Sequence, residues 1–469
     1  MTEAELRGAG VAGYDLAVVG GTVILEQGAQ RLDIAVADGR IAGLLPPGTA
    51  VSATRTVDAT GLYVLPGLID SHVHFRTPGL TGKENWAAGS RAAVAGGITT
   101  VIDMPNTRPP LFTPQDAHER NALIHGQSLV DYRFHAGVDP ERPELIGKFG
   151  RVRRPLSRSS WPGTTPRPMS CVSRRRWRPS SGWPPRTPCS CSSTPRTTRS
   201  SPCWTAGRAP REATRTTNRA VRGAGRSWRS RGWWNSPVGT ARPCTSCMCR
   251  AGRRSTCSAR PAAGLPVTFE VTAHHLTFTA ADTSALGTRL RLSPAIRDQA
   301  DQDRLWQAVL NGEATTVGSD HAPHEQELKL LPVPDAPPGL PGVQELLTAL
   351  HTGLRARRPD LTEEQVLGVV AQVLASGPAR LFRLDDRKGR IAPGLDADLV
   401  VFDPHANWSM SAGLVQSHCG WSAYEGRAFT GRVEWTIRRG ERVYRHRPQA
   451  PAQFGRATGE WLPGRRTDD

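Results

Sequence analysis

LIDSHVHFR, residues 68–76, opens as an apolar run and closes on two histidines two positions apart followed by an arginine. Side chains alternate faces along a β-strand, so His72 and His74 point the same way at a strand end and can share one metal ion. The stretch GKENWAAGSRAAVAGG (82–97) is helical in pattern, and ITTVIDM (98–104) is strand-like again. LPVTFEVTA (265–273), ATTVGSD (314–320) and the helical VQELLTALHTGL (343–354) continue the alternation. Strands alternating with helices predict an α/β fold with a parallel sheet. If that sheet closes into a barrel, chemistry belongs at the C-terminal strand ends. The polar clusters fall there: His72 and His74 end one apolar run, Asn106 follows another, and Asp320 follows a third.

The outer parts of the chain have a different texture. YDLAVVGGTVI (14–24), RLDIAVADGRIAGL (31–44) and TRTVDATGLYVLPG (54–67) are short Val- and Ile-rich runs broken at Gly, Asp or Pro, and GRIAPGLDADLVVFDP (389–404) and GRVEWTIRRGERVY (431–444) repeat the pattern. The simplest arrangement pairs both chain ends in one small β-sandwich. The expected domains are therefore a sandwich from 1–65 and 385–446, a barrel from 66–150 and 261–384, an anomalous segment at 151–260, and a tail at 447–469.

TTVGSDHAPH (315–324) sets Asp320 at a strand end beside two more histidines. A carboxylate there can ligate a metal and take a proton from water that the cation has acidified. An isolated H-x-H pair or a lone strand-end Asp is more often structural, but the two together favour a metal site.

Together, PGLIDSHVHFRTPG (66–79), GGITTVIDMPNT (96–107) and GSDHAPH (318–324) resemble the cyclic amidohydrolases: dihydroorotase, allantoinase and hydantoinase. The resemblance covers residues 14–149 and 262–445 and implies a (β/α)8 TIM-type barrel with a flanking β-sandwich, one or two zinc ions bridged by a carboxylated lysine, and hydrolysis of a ring amide. It implies that His72 and His74 are metal ligands, that Asp320 is both ligand and catalytic base, and that the protein is a homo-oligomer acting on a small cyclic amide, with neither nucleic acid nor membrane as partner. Within this family Arg76, Asn106 and His324 stand where dihydroorotases are similar and hold substrate; an arginine fork suits the carboxylate of dihydroorotate. Ser293 in RLSPAIRD (291–298) and the following RLWQAVLNGE (304–313) resemble allantoinases and hydantoinases instead. Both alternatives stay open, as does a non-catalytic homologue.

The formal charge of +18 suggests a nucleic-acid binder until its location is considered. Residues 151–260 hold 25 Arg, no Lys and one acid, Glu212, whereas the rest of the chain holds 35 basic and 41 acidic residues. Eight of the nine Cys lie in the same segment, which has no Ile, Phe, Tyr or His and one Leu. Such a composition cannot bury enough apolar surface to offset its ordering entropy. The bridging Lys and the further His ligands that the resemblance implies, on strands four to six, all belong in this segment, and it contains neither residue type.

This composition is what a GC-rich gene yields when read out of frame. Moved one nucleotide upstream, the codons of Cys244 to Cys249 permit Leu-His-Ile-Val-His-Val, those of Ser193 to Arg196 permit Val-His-Ala-Glu, and an Arg158 codon permits Lys. Two compensating frame changes, near residues 150 and 260, are therefore expected, with little or no activity in the chain as translated. A true basic insertion that grips nucleic acid through Arg and Trp would leave strands four to six with no sequence to encode them. The opening MTEAELRGAG is neither a signal nor a transit peptide in pattern, and no apolar run reaches the length of a membrane span, so a cytoplasmic location is expected.

Overall fold

Six parallel strands form an arc whose spatial order departs from chain order. In the computed structural model, which describes residues 13–149, 244–246 and 267–463, Leu68–Val73 pairs with Ile98–Asp103, which pairs with Asp131–Phe134. On the other side Thr316–Gly318 pairs with Val267–Thr272, and that strand with Cys244–Ser246. A parallel bridge between Val73 and His321 joins the halves, and the His74 N–H donates to the His321 carbonyl at 2.8 Å. The arc thus reads 131–134, 98–103, 68–73, 316–318, 267–272, 244–246. Whatever lies beyond its two outer strands between 150 and 243 is outside the described residues.

Helices follow the strands for local reasons. Asn85 caps Trp86–Ala95 by accepting the Ala88 N–H at 3.0 Å. Small residues let that helix lie close: a Cβ on Gly89 would come within 2.7 Å of the Phe75 ring. Pro114–Ile124 begins with a Thr113/Asp116 capping box and Pro114 in its first turn. Trp86, Phe75, Val101, Val271, Trp306 and Leu347 belong to one buried cluster between strands and helices.

Strands from both chain ends share a mixed, mostly antiparallel sheet. Tyr63–Pro66 lies between Thr22–Leu25 and Leu399–Ser409, and the sheet continues through Ala428–Arg438, Glu441–Arg445 and Gln453–Phe454. A second sheet contains Arg40–Leu45, Asp33–Ala37, Leu16–Val19 and Thr56–Asp58. Leu16, Ile34 and Val57 from the second sheet and Val23, Val64, Val401 and Ile437 from the first form one buried cluster.

Two expectations need correcting. Residues 447–463 are more than a tail: the Tyr132 N–H donates to the Glu460 carbonyl at 2.9 Å, and the Leu462 N–H to the Tyr132 carbonyl at 2.7 Å. Among the described residues, Asp131–Phe134 pairs on one side with Ile98–Asp103, and Tyr132 bridges to Trp461. One helical run, Glu363–Phe382, does reach membrane-span length, with 20 residues and a mean hydropathy of 1.2. Its apolar side chains Val366, Leu367, Val370 and Leu374 are packed in the core.

Candidate metal centre

At the C-terminal end of the arc, His72 and His74 both approach Asp320. Each Nε2 lies 3.2 Å from Asp320 Oδ1, and the three candidate ligand atoms all fall within 4.8 Å of one another. Asp320 stands just after Thr316–Gly318 with φ of +47°, a left-handed conformation that Asp tolerates better than most side chains. Asp70 anchors this turn by accepting the Ser319 N–H at 3.1 Å. Burial pushes the Asp70 carboxyl up to about 6.

The far nitrogens of the two rings are held differently. His72 Nδ1 is 2.9 Å from Glu270 Oε1, and His74 Nδ1 is 2.8 Å from Asn106 Oδ1. Both partners are acceptors, so each ring carries its proton on Nδ1 and turns an Nε2 lone pair toward Asp320. Electron-rich atoms this close remain together only with a proton or cation between them. Two imidazoles and a carboxylate suit a divalent ion of the zinc type. Burial lowers His74 to about 4, which keeps that ring neutral. That is the protonation state a metal requires.

Arg76 is buried beside this cluster, with φ of +60° and an Nε that has no hydrogen-bond partner among the described residues. Burial lowers its pKa, against the pull of Asp103 and Asp320. Asn106, expected to hold substrate, is engaged with His74. His324 turns Nε2 to the Pro338 carbonyl at 3.1 Å, while its Nδ1 has no partner among the described residues. Burial, and then Arg76, lower His324 to about 2.

Other groups at the mouth escaped the sequence reading. Glu270 could have been noticed as a lone acid in the apolar strand VTFEVT. His274, buried just after that strand, bonds the Tyr424 hydroxyl at 3.0 Å. Tyr424 belongs to a strap, residues 410–427, that links two long antiparallel strands. Trp421 of the strap donates from Nε1 to the His324 carbonyl at 2.8 Å, and the His418 N–H reaches Glu84, which is 3.2 Å from His321 Nε2. Phe278, Leu290, Ile296 and Leu340 pack against Trp421 and Tyr424 in a separate buried cluster. The lysine and histidines expected from a shifted frame at Arg158, Thr194 and 244–249 lie outside the described residues, which include only the backbone of Cys244–Ser246 from that segment.

The sequence profile of the amidohydrolase family matches residues 63–154 and 261–443. The chain belongs to the amidohydrolase family. This amidohydrolase is 33% identical over 421 residues to a dihydroorotase of Halobacterium salinarum, covering 84% of this chain and 91% of that protein. It is 28% identical over 454 residues to an allantoinase of Deinococcus radiodurans, covering 92% and 96%. An L-hydantoinase (dihydropyrimidinase) structure from Arthrobacter aurescens superposes with a TM-score of 0.73 at 21% identity, covering 96% of this chain and all of the other. Family and fold together imply a TIM barrel with a flanking domain. The profile match breaks between 154 and 261, where the Arg-rich segment lies.

Proposed function

We propose that this amidohydrolase is built to open the ring of dihydroorotate at a zinc centre, giving N-carbamoyl-aspartate. The observation that carries the choice of substrate is Arg76, a buried guanidinium beside the ligand cluster whose Nε has no partner among the described residues. A buried cation of this kind calls for an anionic partner, and the carboxylate of dihydroorotate supplies one in a matching fork geometry. Allantoin and hydantoin rings offer no such group.

His72, His74 and Asp320 are the residues that would hold the cation. When bound, it supplies Lewis-acid polarisation of the ring carbonyl and acidifies a water molecule. Asp320 accepts the proton of the attacking water and delivers it to the ring nitrogen as the C–N bond breaks. Arg76 fixes the carboxylate, and His324 Nδ1 bonds the ring edge.

Allantoinase or hydantoinase activity is the second reading, and Ser293 favours it. Residues 151–260 are read as translated out of frame, on the strength of their composition and of the gap in the family match. Nucleotide sequencing across residues 150 and 260 tests that reading, and stop codons in the shifted frame would exclude it. The substrate is tested by measuring kcat/KM for dihydroorotate, allantoin and hydantoin on the chain as translated and on its restored-frame version. Dihydroorotate should be preferred, and Arg76→Lys should raise its KM about tenfold or more through loss of the fork. A preference for allantoin that is indifferent to Arg76 would establish the second reading instead.

A further inference from the structure

The two imidazoles are anchored unequally, one by a carboxylate and one by an amide. Glu270 sits within Val267–Thr272 and is 4% exposed. Its Oε1 meets His72 Nδ1 at 2.9 Å, while its Oε2 accepts from the Ser71 hydroxyl at 2.6 Å and from the Thr316 hydroxyl at 3.4 Å. One side chain therefore links three neighbouring strands of the arc. The space for it is also built: a Cβ on Gly318 would lie 3.0 Å from both Cδ and Oε2 of Glu270 and 3.3 Å from the His72 Cβ. Glycine at the start of the Gly-Ser-Asp turn thus makes room for the carboxylate one layer below Asp320.

An imidazole that donates Nδ1–H to a carboxylate is a stronger σ-donor at Nε2 than one that donates to an amide oxygen, because the negative charge stabilises positive character on the ring. Among the described residues, His74 Nδ1 has the neutral Asn106 behind it. We infer that Glu270 is a positioning residue that fixes the tautomer of His72 and makes His72 the dominant imidazole donor for a divalent cation. Asn106 plays the weaker, orienting part for His74. The inference rests on the metal reading of the site proposed above.

The test is a titration of the purified full-length chain with Co2+, followed by visible absorption, together with Zn2+ competition against a chromophoric chelator. Glu270→Gln, which keeps the shape but removes the charge, should weaken binding about 10- to 100-fold and shift the Co2+ bands. Asn106→Ala should weaken it less. In a His72→Ala background the Glu270→Gln effect should vanish; a loss of equal size there would mean that Glu270 acts only through the fold, and would overturn the inference. If Glu270→Gln does not fold, Gly318→Ala crowds the same carboxylate and should weaken Co2+ binding, whereas unchanged affinity would count against Glu270. Unaltered binding by Glu270→Gln in a chain that does bind Co2+ sinks this inference alone. Failure of both the parent chain and its restored-frame version to bind Co2+ sinks the metal reading, and this inference with it.

Discussion

The two ends of the strand arc handle buried charge in opposite ways. At the N-terminal end, Lys388 Nζ lies 2.7 Å from Asp131, 2.7 Å from Asp398 and 3.0 Å from Asp396, with Arg438 also on Asp131 at 3.4 Å. Burial opposes the charge on Lys388, but the carboxylates prevail and push its pKa up. At the C-terminal end, His74 is lowered to about 4 and His274 to about 3, chiefly by burial, and the Arg76 Nε, His274 Nε2 and His324 Nδ1 have no partners among the described residues. Charges at the first end are paired with opposite charges within the fold, even though the Arg438 and Arg439 Nε atoms also lack hydrogen-bond partners among the described residues. At the second end the unpartnered atoms belong to neutral histidines and to an arginine beside the candidate ligand cluster, which is why the proposed function is placed there.

Asp320→Asn in the restored-frame enzyme should give the largest effect, a fall in kcat of about 10⁴-fold with little change in melting temperature, because it strikes only the open end. Equal losses of activity and stability would erase the contrast. Lys388→Met should destabilise the fold by about 3–5 kcal/mol in urea unfolding, since it strands buried carboxylates, while leaving Co2+ affinity intact. A weakened metal site in that variant would show that the two ends are coupled.

The pH dependence of the metal-free protein sharpens the comparison further. His274 and His324 titrate near 3 and 2 when folded, well below the ordinary 6.5 of an unfolded histidine. The unfolded chain therefore binds protons first as pH falls. The histidine contribution to stability should be level above about pH 7 and decline as pH drops from about 6.5 toward 3, by up to about 1.4 kcal/mol per pH unit for each histidine. Urea midpoints at about pH 7.5 and 5.5 check this, and a flat profile would refute the neutral, buried assignment. Trp421→Phe should have the smallest effect, about 1 kcal/mol from loss of its bond to the His324 carbonyl, read as a modest rise in substrate KM.

What could be read in the sequence followed from short-range rules. The spacing of His72 and His74 is a strand-period signal, and the run GKENWAAGSRAAVAGG is helical by its own composition and period. Glu270 carried no such signal, because its meaning depends on Ser71 and Thr316 lying on adjacent strands, 199 and 46 residues away. Lys388 lies in the turn-rich RKGRIAPGLDAD, and its partner Asp131 is 257 residues distant. The strap drew no separate expectation, since its polar contacts reach loops that no local pattern connects to it. For residues 151–260, composition gave a warning but no architecture.

The return of the C-terminus to Asp131–Phe134 also constrains the order of synthesis. Arg133 donates from Nε to the Leu462 carbonyl at 2.8 Å and from Nη2 to the Pro463 carbonyl at 2.9 Å, contacts spanning some 330 residues. A nascent chain that has emerged through its first three barrel strands still lacks these two carbonyl partners of Arg133, which are made some 330 residues later. These contacts therefore form only after the strand they brace has long been made.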